Sequence, residues 1–120
     1  MTAKRPEVST LRAALEGALA RKRAAFVPFL VGGDPSLAWT GRFVRALAGA
    51  GADVVELGVP FSDPIADGPV IQRASRRALR AGATLPRVIG LVARLRARGV
   101  STPIVLFTYY NPVLSYGIDR

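Results

Sequence analysis

Neither histidine nor cysteine occurs among the 120 residues. The first absence removes the commonest general acid and base, the second the commonest soft nucleophile, so proton transfer here falls to carboxylates, tyrosines or lysine. Without cysteine no disulfide scaffold can form, which fits a reducing compartment. Carboxylates are themselves scarce. The chain has eight, Glu7, Glu16, Asp34, Asp53, Glu56, Asp63, Asp67 and Asp119. Half of them crowd between Asp53 and Asp67, and none follows until Asp119. Long apolar runs are missing too, since arginine and glycine interrupt each one well before membrane-spanning length. The start, Met1 to Glu7, lacks the apolar core of a signal peptide. These absences lead us to expect a soluble cytoplasmic protein with no membrane partner.

What remains is half hydrophobic by residue count, enough for the packed core of one ordinary domain. Seventeen lysines and arginines give a formal charge of +9, which raises nucleic-acid binding as a function class. The basic residues are mostly arginines spread along helical stretches, Arg73, Arg76, Arg77, Arg80, Arg87, Arg94, Arg96 and Arg98 among them. Such spacing reads as solvated helix faces. No RNP-like aromatic pattern, zinc finger or helix-turn-helix cue accompanies them, so no nucleic-acid partner is expected.

Strand and helix signals alternate with little slack. Leu11, Ala14, Leu15, Ala18 and Leu19 fall on one helical face after the capping candidates Ser9 and Thr10, a helix that would plug or flank the fold. Phe26 to Val31 reads as a buried strand ended by Gly32-Gly33-Asp34-Pro35, with Pro28 pointing to an edge or an irregularity. Ser36 caps a helix with Leu37, Thr40, Val44, Leu47 and Ala48 on one face, closing at Gly49 to Gly51. The strand Asp53 to Gly58 follows. Pro69 opens a helix reaching Gly82, and Thr84 caps another that carries Val88, Leu91, Val92 and Leu95 and stops at Gly99. Pro103 to Thr108 is a third strand, and a further helix is expected to begin around Tyr116 to Arg120.

Strands that are apolar throughout are covered on both faces, which argues for a parallel α/β architecture, either a doubly wound sheet or a (β/α)8 barrel. In both, ligands gather at the carboxyl ends of the strands. Phe29, Glu56, Phe107, Thr108 and Tyr109 should share that end. Glu56 breaks the pattern as a charge inside the apolar strand Val54-Val55-Glu56-Leu57. A buried ionised carboxylate costs several kcal/mol unless its pKa rises or a partner is supplied. It is therefore either a proton-transfer group or a core residue paired with an arginine. By itself Asp67, before Gly68 in a proline-rich loop, reads as a turn residue, and Asp63 before Pro64 as an Asx-turn or cap.

The run from Glu56 through Gly58-Val59-Pro60-Phe61-Ser62-Asp63-Pro64-Ile65-Ala66-Asp67-Gly68 to Gln72 resembles the signature of the tryptophan synthase alpha chain family. Phe26-Val27-Pro28-Phe29 with Gly33-Asp34-Pro35, Ala50 to Asp53, and Pro103 to Pro112 resemble it in the same order and spacing, so the likeness covers nearly all of the chain after residue 25. It implies a (β/α)8 barrel and a lyase that cleaves indole-3-glycerol phosphate to indole and glyceraldehyde 3-phosphate by a retro-aldol reaction, with no metal and no organic cofactor. The glutamate matching Glu56 would be the general acid and base, and the aspartate matching Asp67 would accept from the indole nitrogen. Phe29 and Phe107 would wall the indole, with Tyr109 beside them, and Gln72 and Asn111 would lie near the subunit contact or just behind the residues that touch substrate. The loop from Pro60 to Asp67 would close over substrate and touch a beta chain, which carries pyridoxal phosphate and receives the indole within a tetramer of two alpha and two beta chains.

Length departs from that pattern. Barrels of this kind run to roughly 250 residues and bind phosphate through loops after the seventh and eighth strands. Residues 1–120 read as the amino-terminal portion of a single barrel domain, with three strands and the carboxylate half of the site. Alone, the chain is expected to hold the substrate phosphate poorly, and its third strand to leave an open apolar edge. A half-barrel that acts only by complementing another chain is the alternative reading.

Overall fold

The computed structural model describes residues 10–119. Along them run α1 (Leu11–Ala20), β1 (Phe29–Val31), α2 (Leu37–Gly49), β2 (Val55–Gly58), α3 (Pro69–Arg80), α4 (Leu85–Ala97), β3 (Ile104–Phe107) and α5 (Tyr110–Tyr116). Hydroxyls set three of the helix starts. Thr10, Ser36 and Thr84 accept from the N–H groups of Ala13, Trp39 and Arg87, each satisfying a donor that a first helical turn leaves without a carbonyl. Ser9, the other capping candidate of α1, lies outside the described residues. α3 starts on Pro69 with no side-chain cap, and proline at that position has no N–H to satisfy.

The three strands are parallel and adjacent in chain order, β1-β2-β3, with Phe29 opposite Glu56, Glu56 opposite Val105 and Gly58 opposite Phe107. Alternation puts Leu30, Val55, Leu57, Ile104 and Leu106 on one face. That face is covered by α2 and α4: Val55 packs with Val44, Leu91 and Leu95, and Leu57 with Leu85 and Val88. Each side chain fully buried in this way contributes about 1.5–3 kcal/mol. The opposite face carries Phe29, Val31, Glu56, Gly58, Val105 and Phe107. There α3 crosses only the end of β1, where Ala74, Ala78 and Ala83 meet Val31. A strand order without reversal and a helical layer on one face are the arrangement that successive strands of a (β/α)8 barrel take. The chain forms three successive strands of a (β/α)8 barrel.

At the foot of β2, Asp53 ties the chain together. Its carboxylate accepts two hydrogen bonds from the Arg23 guanidinium, both 2.7 Å, and one from the Phe26 N–H at 2.8 Å, while Arg21 approaches to 3.6 Å. The Arg23 hydrogen bonds foremost, then the Phe26 N–H, hold the Asp53 carboxyl well below the usual carboxylate range.

Several expectations need correction. The first strand is shorter than its apolar run, although the backbone ladder begins earlier: Asp53 N–H donates to Phe26 O and Glu56 N–H to Pro28 O. Pro28 thus gives β2 its carbonyl, and β1 stands at the sheet edge, where a missing N–H is tolerated. On α1 only Ala18 is buried, while Leu11, Leu15 and Leu19 are exposed, so the described residues cover its apolar stripe at the alanine and leave the three leucines open. The last helix begins at Tyr110, ahead of the expected position. Pro112 fits there because the first turn of a helix contains N–H groups without intrahelical partners. β3 is the other edge strand, and no described strand pairs with its outer side. No helix among the described residues is long and apolar enough to cross a membrane.

Candidate active site

The uncovered face of β2 sets the position of Glu56. The side chain is half-buried, and no described residue hydrogen-bonds or ion-pairs with it, since the described ion pairs engage Glu16, Asp53 and Asp34 instead. Among the described residues Glu56 is thus neither fully buried nor paired with an arginine, the two states the sequence led us to expect, because this is the sheet face that the further strands of a (β/α)8 barrel enclose.

Two residues further along the same face, Gly58 lies beneath the Phe29 ring. A Cβ at this position would stand 2.8 Å from Phe29 Cζ, so only glycine leaves room for the aromatic. Phe29 in turn meets Phe107 edge-on, centroids 5.8 Å apart at 87°, a favoured arrangement for two rings. A second close approach fixes the turn after β1. Gly33 has φ +99°, and a Cβ there would come within 2.4 Å of Ala83 Cβ, while its N–H donates to buried Thr40 Oγ1 at 2.9 Å.

The loop between β2 and α3 is held from both ends. Gln72, in the first turn of α3, donates through its side-chain amide to Asp67 O at 2.9 Å and Pro64 O at 3.3 Å. From the end of β3, the Tyr109 hydroxyl accepts from Ala66 N–H at 2.9 Å and donates to Asp67 Oδ2 at 3.2 Å, and its ring packs 5.2 Å from that of Phe61. Asp67 is therefore more than a turn residue: its N–H closes a turn onto Pro64 O while its carboxylate reaches the third strand's end. Asp63 caps no helix. It accepts the Ser62 hydroxyl, and its carbonyl accepts from Ile65 N–H.

Phe29, Asp67, Phe107 and Tyr109 line one recess at the carboxyl ends of the strands, completed by Val31, Gly58, Val59, Ile71 and Ser75. Glu56 is not in its wall; it stands one step back along the same face, opposite Phe29. Ile71 and Ser75 were not singled out from the sequence. Their i, i+4 spacing after Pro69 was the available signal, because it sets both on one side of α3. Among the described residues no three carboxylates gather as a metal site would require. The arrangement offers an unpartnered carboxylate for proton exchange and a second, oriented carboxylate as hydrogen-bond acceptor, beside an apolar, aromatic-walled recess.

The family model of the tryptophan synthase alpha chain matches residues 15–120. The chain belongs to that family. It is 60% identical over 95 residues to the tryptophan synthase alpha chain of Geobacillus thermodenitrificans, covering 79% of this chain and 35% of that one. To that of Methylibium petroleiphilum it is 50% identical over 113 residues, covering 94% and 42%. The crystal structure of tryptophan synthase subunit alpha from Legionella pneumophila superposes with a TM-score of 0.87 at 40% identity, over 91% of this chain and 42% of that one. The chain thus spans about two-fifths or less of the length of these family members, in agreement with the three strands of the partial barrel.

Proposed function

We propose that the chain carries the acid–base half of a lyase site acting in tryptophan biosynthesis, where indole-3-glycerol phosphate is cleaved to indole and glyceraldehyde 3-phosphate. Glu56 delivers a proton to the indole carbon that bears the glycerol chain. The positive charge then resides on the ring nitrogen, where Asp67 accepts the N–H and stabilises the cation. Removal of the proton from the adjacent glycerol hydroxyl, assisted by Glu56, breaks the carbon–carbon bond: the hydroxyl carbon becomes the aldehyde and the bonding pair returns to the indole ring. Phe29 and Phe107 wall the ring, and Tyr109 orients Asp67.

The observation that carries this reading is the unlike treatment of two carboxylates, Glu56 on β2 and Asp67 on the loop that follows it. Proton exchange needs a group free to change its protonation state, and cation stabilisation needs one held in place. Among the described residues Glu56 has no partner, whereas Asp67 is fixed by Tyr109. Family membership supports the substrate and, with it, a beta chain as the acceptor of indole, pyridoxal phosphate belonging to that chain; the reaction proposed for this site calls on neither a metal nor an organic cofactor.

A second reading is favoured by the open outer edge of β3 and the partial length. On it, these residues act only when another segment supplies the remaining strands. Indole release from indole-3-glycerol phosphate, assayed with the chain alone and with an added segment providing those strands, separates the two. Within whichever form is active, Glu56→Gln is expected to lower turnover by about 10²–10⁴-fold, the usual worth of a positioned acid–base group. An unchanged rate would refute the acid–base role.

A further inference from the structure

On the outer side of the helical layer, away from the strand face that carries Glu56, α2 and α4 enclose a groove of about 490 Å³ lined by Leu37, Ala38, Gly41, Arg42, Arg45, Leu91, Arg94, Leu95 and Arg98. Its basic walls follow from helix periodicity. Arg42 and Arg45 share the face of α2 that holds Ala38 and Gly41, and Arg94 and Arg98 share the face of α4 that holds Leu91 and Leu95. Gly41 lets the helices approach, since a Cβ there would already press on Leu91 Cδ1 at 3.2 Å. The result is a groove with two arginines on each helical side and an apolar floor that includes Leu91 and Leu95.

Among the described residues none of the four has an ion-pair partner. The described ion pairs use Arg12, Arg21, Arg23 and Arg77; α2 has no carboxylate, and neither does the sequence between Asp67 and Asp119. Arg42 lies over the Trp39 ring, 4.7 Å from its centroid, which steadies the group without cancelling its charge. Four like charges around one groove repel one another, and a counter-ion with several closely spaced negative charges relieves that repulsion. Guanidinium forks match phosphate oxygens in pairs. We infer that this groove is a binding site for an oligophosphate group, separate from the strand-end recess.

Isothermal titration of the 120-residue chain with inorganic tripolyphosphate at about 0.15 M salt, where distant surface charges are largely screened, tests the inference. Saturable one-site binding is expected. The double variant Arg45→Glu with Arg94→Glu should weaken it by about tenfold or more, whereas Arg76→Glu with Arg80→Glu on exposed positions of α3, an equal change in net charge, should alter it by less than about twofold. Far-UV circular dichroism that is alike for both variants confirms that folding is not the cause. ATP in place of tripolyphosphate distinguishes the source: equal affinity marks recognition of the triphosphate alone, and tighter ATP binding marks a nucleotide whose base uses the apolar floor. Absence of saturation, or equal weakening in both variants, would overturn the proposal and leave only non-specific attraction of polyanions to a basic chain.

Discussion

Asp53 and Glu56 stand three residues apart at the foot and in the middle of one short strand, and the fold treats them in opposite ways. Asp53 is surrounded: Arg23 grips both oxygens, the Phe26 N–H adds a third hydrogen bond, and Arg21 lies close by. Glu56, on the face without a helical layer, has no such partner among the described residues. Both are acidic residues in an apolar stretch, and residue type alone does not tell them apart. Partners do. A carboxylate whose hydrogen-bonding capacity is filled is committed to holding the chain, while one without such partners on the open sheet face is available for proton transfer.

The contrast can be broken most forcefully at the chemical end. In the active form, Asp67→Asn should retain ligand binding and the folded state while turnover falls by about 10²-fold, the scale of losing one oriented electrostatic group; loss of folding in a thermal melt would show that Asp67 belongs with Asp53 as a structural residue. Next in size, Asp53→Asn should lower the thermal midpoint by several degrees, and the defect should depend on pH. Because the folded-state pKa of Asp53 is depressed, its contribution is fully present above the unfolded value near about 3.9 and disappears as pH falls through the lower folded value. Wild-type stability should therefore drop in acid below about pH 4, and that drop should be shallower in the variant. If Asp53→Asn instead impaired turnover at unchanged stability, the division between the two carboxylates would fail. The smallest effect is expected from Tyr109→Phe, which removes the hydroxyl shared by Asp67 and Ala66. A stability change of about 1 kcal/mol or less, with a several-fold loss of rate, would sharpen the view that Tyr109 orients Asp67 and does not react.

Much of this was readable before any coordinates. Ser36 and Thr84 announced their helices because a hydroxyl at the right place satisfies an orphan N–H locally, and local chemistry is what a sequence exposes. The carboxyl-end grouping of Phe29, Phe107 and Tyr109 was legible through strand order and periodicity, whereas Asp67 read by itself as a turn residue and joined the group only through the family resemblance. α5 was hidden for an equally local reason: Tyr109 caps it with no side-chain hydrogen bond, and Pro112 reads as a breaker although it sits in the first turn. The exposure of Glu56 could not be foreseen, because burial is decided by what covers a sheet face and alternation only says which face a residue is on. The same holds for the hydrogen bond from Tyr109 to Asp67, formed between residues far apart in the chain and fixed by the pairing of β2 with β3.

Trp39 is the chain's single tryptophan, and it is held between Phe43, at 5.7 Å, and the guanidinium of Arg42. Intrinsic emission excited at the red edge of the protein absorption band therefore reports one neighbourhood, the outer side of α2. The strand-end recess is lined by tyrosine and phenylalanine but no tryptophan, so that emission follows the outer side of α2 without a contribution from the opposite face.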